Sequence, residues 1–172
     1  ISVYDVDHEK KEISFYIKAI GKGTSKLGSL LPGSKVNIVY PLGNSYTPVK
    51  NKNALIVGGG SGIAPFKLLG EQLRGLGSKV TYLFGARTSE EIVLTDVFSK
   101  LGKFNCTTED GSLGEKGLVT SHSIFKNIKY FDIVYSCGPD PMMKAIAKIA
   151  IPLEVSIDSS GWKTSPIVRH AE

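Results

Sequence analysis

The chain has 172 residues, 41% of them hydrophobic and 22% charged, the proportions of a folded globular protein and not of a disordered one. Its 21 basic residues against 16 acidic ones leave a formal charge of +5. The basic residues are scattered without interleaved aromatics, which argues against nucleic acid and suits a small anionic ligand. The longest nearly apolar run, around residues 145–153, contains Lys148 and is far shorter than the ~20 residues of a membrane helix. No signal-peptide pattern opens the chain, so a cytoplasmic protein without membrane association is expected. Cys106 and Cys137 have no metal-ligand spacing and are too few for a disulfide framework, so no metal site is expected.

Residues 2–6 and 13–20 are rich in Ile, Val, Phe and Tyr, and the polar residues 7–12 between them predict a hairpin connection. Leu31-Pro32-Gly33 predicts a turn, residues 35–40 a strand, and Pro41-Leu42-Gly43 another break. Past Asn51-Lys52-Asn53 the texture changes. A short apolar strand at 54–57 precedes a helix at 62–73 and a strand at 80–84. A helix at 95–101, with Thr95 as its N-cap, leads to a strand at 104–107. Residues 119–125 read as helical, 133–136 as a strand, and 141–150 as a helix that Pro141 can open without losing a needed N–H. Alternating strands and helices predict a parallel sheet covered on both faces, with its ligand crevice at the strands' carboxyl ends. The expected organisation is a partial antiparallel β-barrel over 1–50, an α/β domain over 51–157 and an atypical tail over 158–172.

The chemical signals follow strands. Gly58, Gly59, Gly60, Ser61, Gly62, Ile63, Ala64 and Pro65 lie between a strand and a helix, where bare backbone and free N–H groups suit a pyrophosphate. The spacing departs from G-x-G-x-x-G, because Ile63 stands at the last glycine position. Cys137-Gly138-Pro139-Asp140-Pro141-Met142 follows the last strong strand. Its corner would bring a small polarizable side chain up to a flat ring, although a free cysteine also serves as a small buried hydrophobe, and Met142 and Met143 suit core packing. Glu109 and Asp110, again after a strand, could accept ribose hydroxyls and repel a 2′-phosphate, or form an exposed acidic turn. Arg87 could instead pair with a phosphate, so NAD is favoured over NADP only on balance. Gly21-Lys22-Gly23-Thr24 reads as a turn, and His8, His122 and His170 as surface residues.

In this order the motifs resemble the ferredoxin–NADP reductase superfamily, most closely its electron-transfer subunits of two-subunit, NAD-linked dihydroorotate dehydrogenases. Five stretches carry the likeness: Ile1-Ser2 with Tyr4-Asp5-Val6-Asp7, then 21–24, 58–65, 109–117 and 137–142, with Pro41-Leu42-Gly43 as the link between domains. The resemblance implies an FAD-binding β-barrel followed by an NAD-binding domain. Ile1 and Ser2 would end an Arg-Pro-x-Ser flavin motif. Tyr16, Ile17 and Lys18 would line the flavin, and Gly23 and Thr24 would hold its pyrophosphate. The 58–65 loop would hold the NAD pyrophosphate. Cys137, Gly138 and Pro139 would lie beside the nicotinamide, with Met142 among the nucleotide contacts. Hydride transfer needs stacked rings more than an acid or base, so Ser2 and Cys137 are expected nearest the reacting atoms.

The resemblance also implies a [2Fe–2S] cluster and a flavoprotein dehydrogenase catalytic subunit as partner in a hetero-oligomer. This chain departs from the pattern at both ends. It begins inside the flavin motif, and residues 158–172 contain no cysteine where the family has a four-cysteine segment, so no cluster ligands are expected. Two other functions fit the same motifs: a ferredoxin–NAD(P) reductase-type subunit of another complex, and a flavin-free nucleotide-binding module.

Overall fold

The computed structural model describes residues 1–40 and 42–159, so Pro41 and most of the predicted tail lie outside the described residues. The chain opens with the antiparallel pair β1 (Val3–Asp7) and β2 (Glu12–Phe15), the hairpin expected of the first segment. Asp7 fixes its turn by accepting the N–H groups of Glu9 at 3.0 Å and Lys10 at 2.9 Å. The second strand stops at Phe15, short of residue 20, because Tyr16 leaves the ladder to pack on the core of the following domain.

The predicted turn at 21–24 is instead the start of a helix, α1 (Lys22–Gly28). The Thr24 hydroxyl supplies the reason, accepting the N–H groups of Ile20 at 3.0 Å and Gly21 at 3.1 Å. The predicted strand 35–40 does not form. Val36, Ile38, Val39 and Tyr40 are 50–77% exposed, and no described strand pairs with this stretch. An alternating pattern becomes a strand only beside a partner that takes its backbone hydrogen bonds.

From Asn53 the chain builds one six-stranded sheet from β3 (Asn53–Gly59), β4 (Lys79–Ala86), β5 (Lys103–Thr108), β6 (Glu115–Lys116), β7 (Ile133–Cys137) and β8 (Ser156–Asp158). The spatial order is β6-β5-β4-β3-β7-β8 and every pairing is parallel. Ala54, Leu55, Ile56 and Val57 are fully buried, which explains why this central strand reads as a continuous apolar run and not an alternating one. The helices α2 (Phe66–Gly75) and α3 (Thr95–Leu101) cover one face, where Ile56, Tyr82, Phe84 and Tyr135 meet Phe66, Leu73 and Phe98. Phe84 and Phe98 are edge to face with ring centroids 4.7 Å apart. On the other face α4 (Asp140–Ala150) and a 3-10 segment, Ser123–Tyr130, bury Leu55, Val57, Leu83 and Val134 under Ile128 and Ile146.

Several boundaries differ from the sequence reading. Leu94, with φ 61°, caps α3 and Thr95 is its first residue. The predicted helix at 119–125 is a pair of 3-10 segments, and Asn127 interrupts the second. His122 is buried, contrary to expectation. Its Nδ1 accepts the Ile124 N–H at 3.0 Å and so caps the segment that follows.

The first segment is fastened to the sheet domain at several points. Tyr16, Tyr46 and Val49 pack on the α2–α3 face, and Lys67 of α2 reaches Asp5 of β1 at 2.7 Å and Glu71 at 2.9 Å. Tyr46 Oη donates to the Ser136 carbonyl at 3.1 Å, and Tyr135 Oη to the Thr47 carbonyl at 2.7 Å. No helix among the described residues is long and apolar enough to cross a membrane.

Gly70 tests the tightness of the α2–β4 contact. A Cβ there would overlap the hydroxyl of fully buried Tyr82. Gly70→Ala is expected to lower stability by about 1–3 kcal/mol despite its better helix propensity. Urea unfolding followed by circular dichroism reads this, and a neutral or stabilising result would show the contact to be loose.

Candidate nucleotide-binding site

The chain order reverses at β3: β4, β5 and β6 lie to one side and β7 and β8 to the other. In such a sheet the crevice opens at the carboxyl ends of the two strands that flank the reversal. The register sets Gly58 opposite Cys137 on one side and Phe84 on the other, which brings the two predicted corners together.

Glycine is required here by close packing. A Cβ at Gly58 would lie 2.7 Å from Ile63 Cγ2, and one at Gly59 2.7 Å from Met142 Sδ. At Gly62 it would overlap the Cys137 carbonyl, and at Gly138 it would stand 3.2 Å from the Gly59 backbone. Gly60 differs: its φ is +54°, and a Cβ there would meet nothing within 4 Å. Three glycines of the loop thus serve the protein's own corners, and Gly60 faces open space. The loop does not enter an α-helix directly. A 3-10 turn, Gly60–Ile63, intervenes, and Pro65 caps α2. Ile63 and Ala64 point into the core at 3% and 2% exposure.

A cavity of about 430 Å³ opens in front of these corners. Gly59, Gly60, Pro139 and Met142 line one part of it; Arg87 and Glu109, from the carboxyl ends of β4 and β5, line another. Gly58, Gly62, Gly138 and Pro65 support the wall without lining it. Cys137 also stays outside: its side chain belongs to the α2–α3 core at 8% exposure, and burial pushes its thiol pKa up.

The acidic pair divides. Glu109 lines the cavity, while the Asp110 carboxylate accepts the Ser112 N–H at 3.0 Å and hydroxyl at 2.7 Å, which lowers its pKa and fixes the turn. Arg87 does not stand free either. Its Nη2 lies 3.2 Å from Glu91, a carboxylate also held by Lys18 Nζ at 3.3 Å. The Arg87 backbone N–H, then Lys18, hold the Glu91 carboxyl below its usual range. Sequence reasoning missed Glu91 at the cavity, though its position four residues after Arg87 was a usable signal.

Lys18 alone among the residues expected to hold flavin reaches this cavity. Ile1 and Ser2 are exposed at the hairpin, Tyr16 and Ile17 are half-buried, and Gly23 stands open at the start of α1 with Thr24 turned to capping. A second hollow, at the β5–β6 edge, is lined by Cys106, Glu115 and His122, but His122 and Glu115 serve the local turn. Cys106 and Cys137, the chain's two cysteines, lie on strands separated by β4 and β3. Among the described residues no group of His, Cys, Asp and Glu could hold a metal ion. A four-thiolate iron–sulfur cluster does not fit this chain.

A parallel sheet with two glycine-bearing corners at its reversal point, and a crevice of about 430 Å³ before them, defines a nucleotide-binding domain of the ferredoxin reductase-like fold. The chain belongs to the oxidoreductase NAD-binding domain family, whose model matches residues 56–148. It is 37% identical over 150 residues to the dihydroorotate dehydrogenase B (NAD(+)) electron transfer subunit of Lysinibacillus sphaericus, covering 85% of this chain and 58% of that one. It is 39% identical over 154 residues to the subunit of that name from Caldanaerobacter subterraneus, covering 90% and 60%. The chain therefore spans somewhat more than half the length of these relatives. Among solved structures, an NADH-dependent reduced ferredoxin-NADP oxidoreductase superposes with a TM-score of 0.80 at 31% identity, covering 91% of this chain and 57% of that one. An Amycolatopsis cytochrome P450 reductase, at 18% identity and a TM-score of 0.73, shares the fold and covers 92% and 54%.

Gly62 tests whether the two corners are packed backbone to backbone. Gly62→Ala is expected to cost about 1–3 kcal/mol in urea unfolding. Native-state alkylation of Cys137 should quicken in the same variant as its corner is pushed open. A change below about 0.5 kcal/mol, the scale of an ordinary surface substitution, would mean that the corners are not in contact.

Proposed function

We propose that this chain is the nucleotide-binding part of an electron-transfer subunit, with residues 51–157 binding NAD(H) and residues 1–50 contributing one side of an FAD site. The 430 Å³ crevice carries the reading: it combines open space at Gly60, the Pro139 corner and a carboxylate at the end of β5. When bound, FAD supplies the redox chemistry, exchanging a hydride with the nicotinamide. The protein's contribution is position. Gly60 leaves room for the pyrophosphate, and Pro139 with Met142 offers a flat apolar wall for the nicotinamide. Glu109, which lines the crevice, would accept ribose hydroxyls. Lys18 joins the two halves, since a residue on the flavin side reaches the nucleotide crevice.

The relatives' names support a dihydroorotate dehydrogenase-like system; with it we propose a cytoplasmic place in pyrimidine biosynthesis and a flavoprotein dehydrogenase catalytic subunit as partner in a hetero-oligomer. Ser2 and Cys137 are the proposed neighbours of the reacting rings, with Cys137 acting from beneath the corner through its backbone. A ferredoxin–NAD(P) reductase-type subunit is the second reading, favoured by the 0.80 TM-score likeness.

The test is a visible spectrum of the purified chain before and after anaerobic NADH, with NADH titrated into the wild type and Gly60→Val. Flavin bands that bleach are expected. Gly60→Val, which puts a branched side chain both into the open space and onto a backbone at φ +54°, is expected to weaken NADH by about tenfold or more, ~1.4 kcal/mol, with its fold checked by circular dichroism. A colourless chain that still binds NADH would reduce the reading to a nucleotide-binding module. Unchanged affinity in Gly60→Val would remove the loop from the site.

A further inference from the structure

The charged groups lining the crevice are Lys18, Arg87, Glu91 and Glu109, so its two cations and two carboxylates balance. They are not evenly available. Glu91 spends both oxygens on the cations: Oε1 takes Arg87 Nη2 at 3.2 Å and Lys18 Nζ at 3.3 Å, and Oε2 takes the Arg87 backbone N–H at 3.4 Å. Its place is set by the short 3-10 turn Ser89–Glu91, behind which Ile92, Val93 and Leu94 pack on the core. The turn fixes the Glu91 backbone beside Arg87, so the carboxylate is held within reach of both cations. Glu109 makes no comparable claim on either cation.

We infer that Glu91 is a specificity-determining residue that holds Arg87 and Lys18 away from a 2′-phosphate and so sets this crevice for dinucleotides that lack one. The inference rests on the reading of the crevice as the nucleotide site. A phosphate monoester carries about −1.5 to −2 charges at pH 7 and would seek the Arg87 fork. It meets a carboxylate of its own sign 3.2 Å from Arg87 Nη2 and 3.3 Å from Lys18 Nζ. A dinucleotide without the 2′-phosphate makes no demand on Arg87 and is unaffected. Arg87, which taken alone suggests NADP, is thereby cancelled by a residue four positions on.

The experiment measures dissociation constants for NADH, NADPH and adenosine 2′,5′-bisphosphate on the full chain. Glu91→Gln keeps the shape and removes the charge, and folding is checked by circular dichroism. It should tighten NADPH and the bisphosphate by about tenfold while moving NADH by less than about threefold. Arg87→Ala in the wild-type background should change none of the three ligands by more than about threefold, yet it should cancel the gain when added to Glu91→Gln. No gain for NADPH in Glu91→Gln, with NADH still bound, would overturn the inference. So would a loss of NADH affinity on Arg87→Ala alone. Failure of the wild type to bind NADH would overturn the crevice reading, and the inference with it.

Discussion

The site depends on one steric constraint: two backbone corners meet at the carboxyl ends of β3 and β7 with no side chain between them. Gly62 lies against the Cys137 carbonyl, and Gly138 against Gly59. Parallel neighbours deliver both corners to the same level, because the register sets Gly58 beside Cys137. A Cβ at Gly62 or Gly138 would wedge the two corners apart, and the cavity wall formed by Gly59, Pro139 and Met142 would move with them. The core behind the wall is the rigid reference. Ile56, Tyr82, Phe84 and Tyr135 are almost fully buried, so the wall has little freedom to adjust.

Much of this was legible in the residues. The change of texture at Asn53 and the alternation beyond it gave the parallel sheet and the end at which its ligand sits, because both follow from hydrophobic period and chain connectivity. Period 2 also held a lesson left unread. Tyr135 and Cys137 share one face of β7, and that face is covered by α2. The Cys137 side chain therefore had to enter the core, and its carbonyl meets the Gly62 backbone, so Cys137 does not line the crevice. Glu91 and Asp110 show the other limit. Which of several acidic residues meets a ligand, and which meets a neighbouring arginine or serine, depends on loop geometry that composition does not encode.

The failures in the first segment have a common cause. Residues 35–40 alternate as a strand should, yet strand formation depends on a partner that a local pattern cannot supply. The 21–24 stretch looked like a turn because glycine at 21 and 23 weakens a helix, but the Thr24 hydroxyl gathers two backbone donors and starts one. The edge strands β6 and β8, of two and three residues, are shorter than any period that could announce them.

The unpaired stretch also bears on how the chain behaves in company. Val36, Ile38, Val39, Tyr40 and Leu42 present an apolar row beside backbone groups that join no ladder among the described residues. Such a row is a template onto which any extended neighbour can zip, and lysine at 35 is the one charge within it that resists this. A charge placed among these residues would oppose such pairing without touching the nucleotide crevice, none of whose lining residues lies in this stretch.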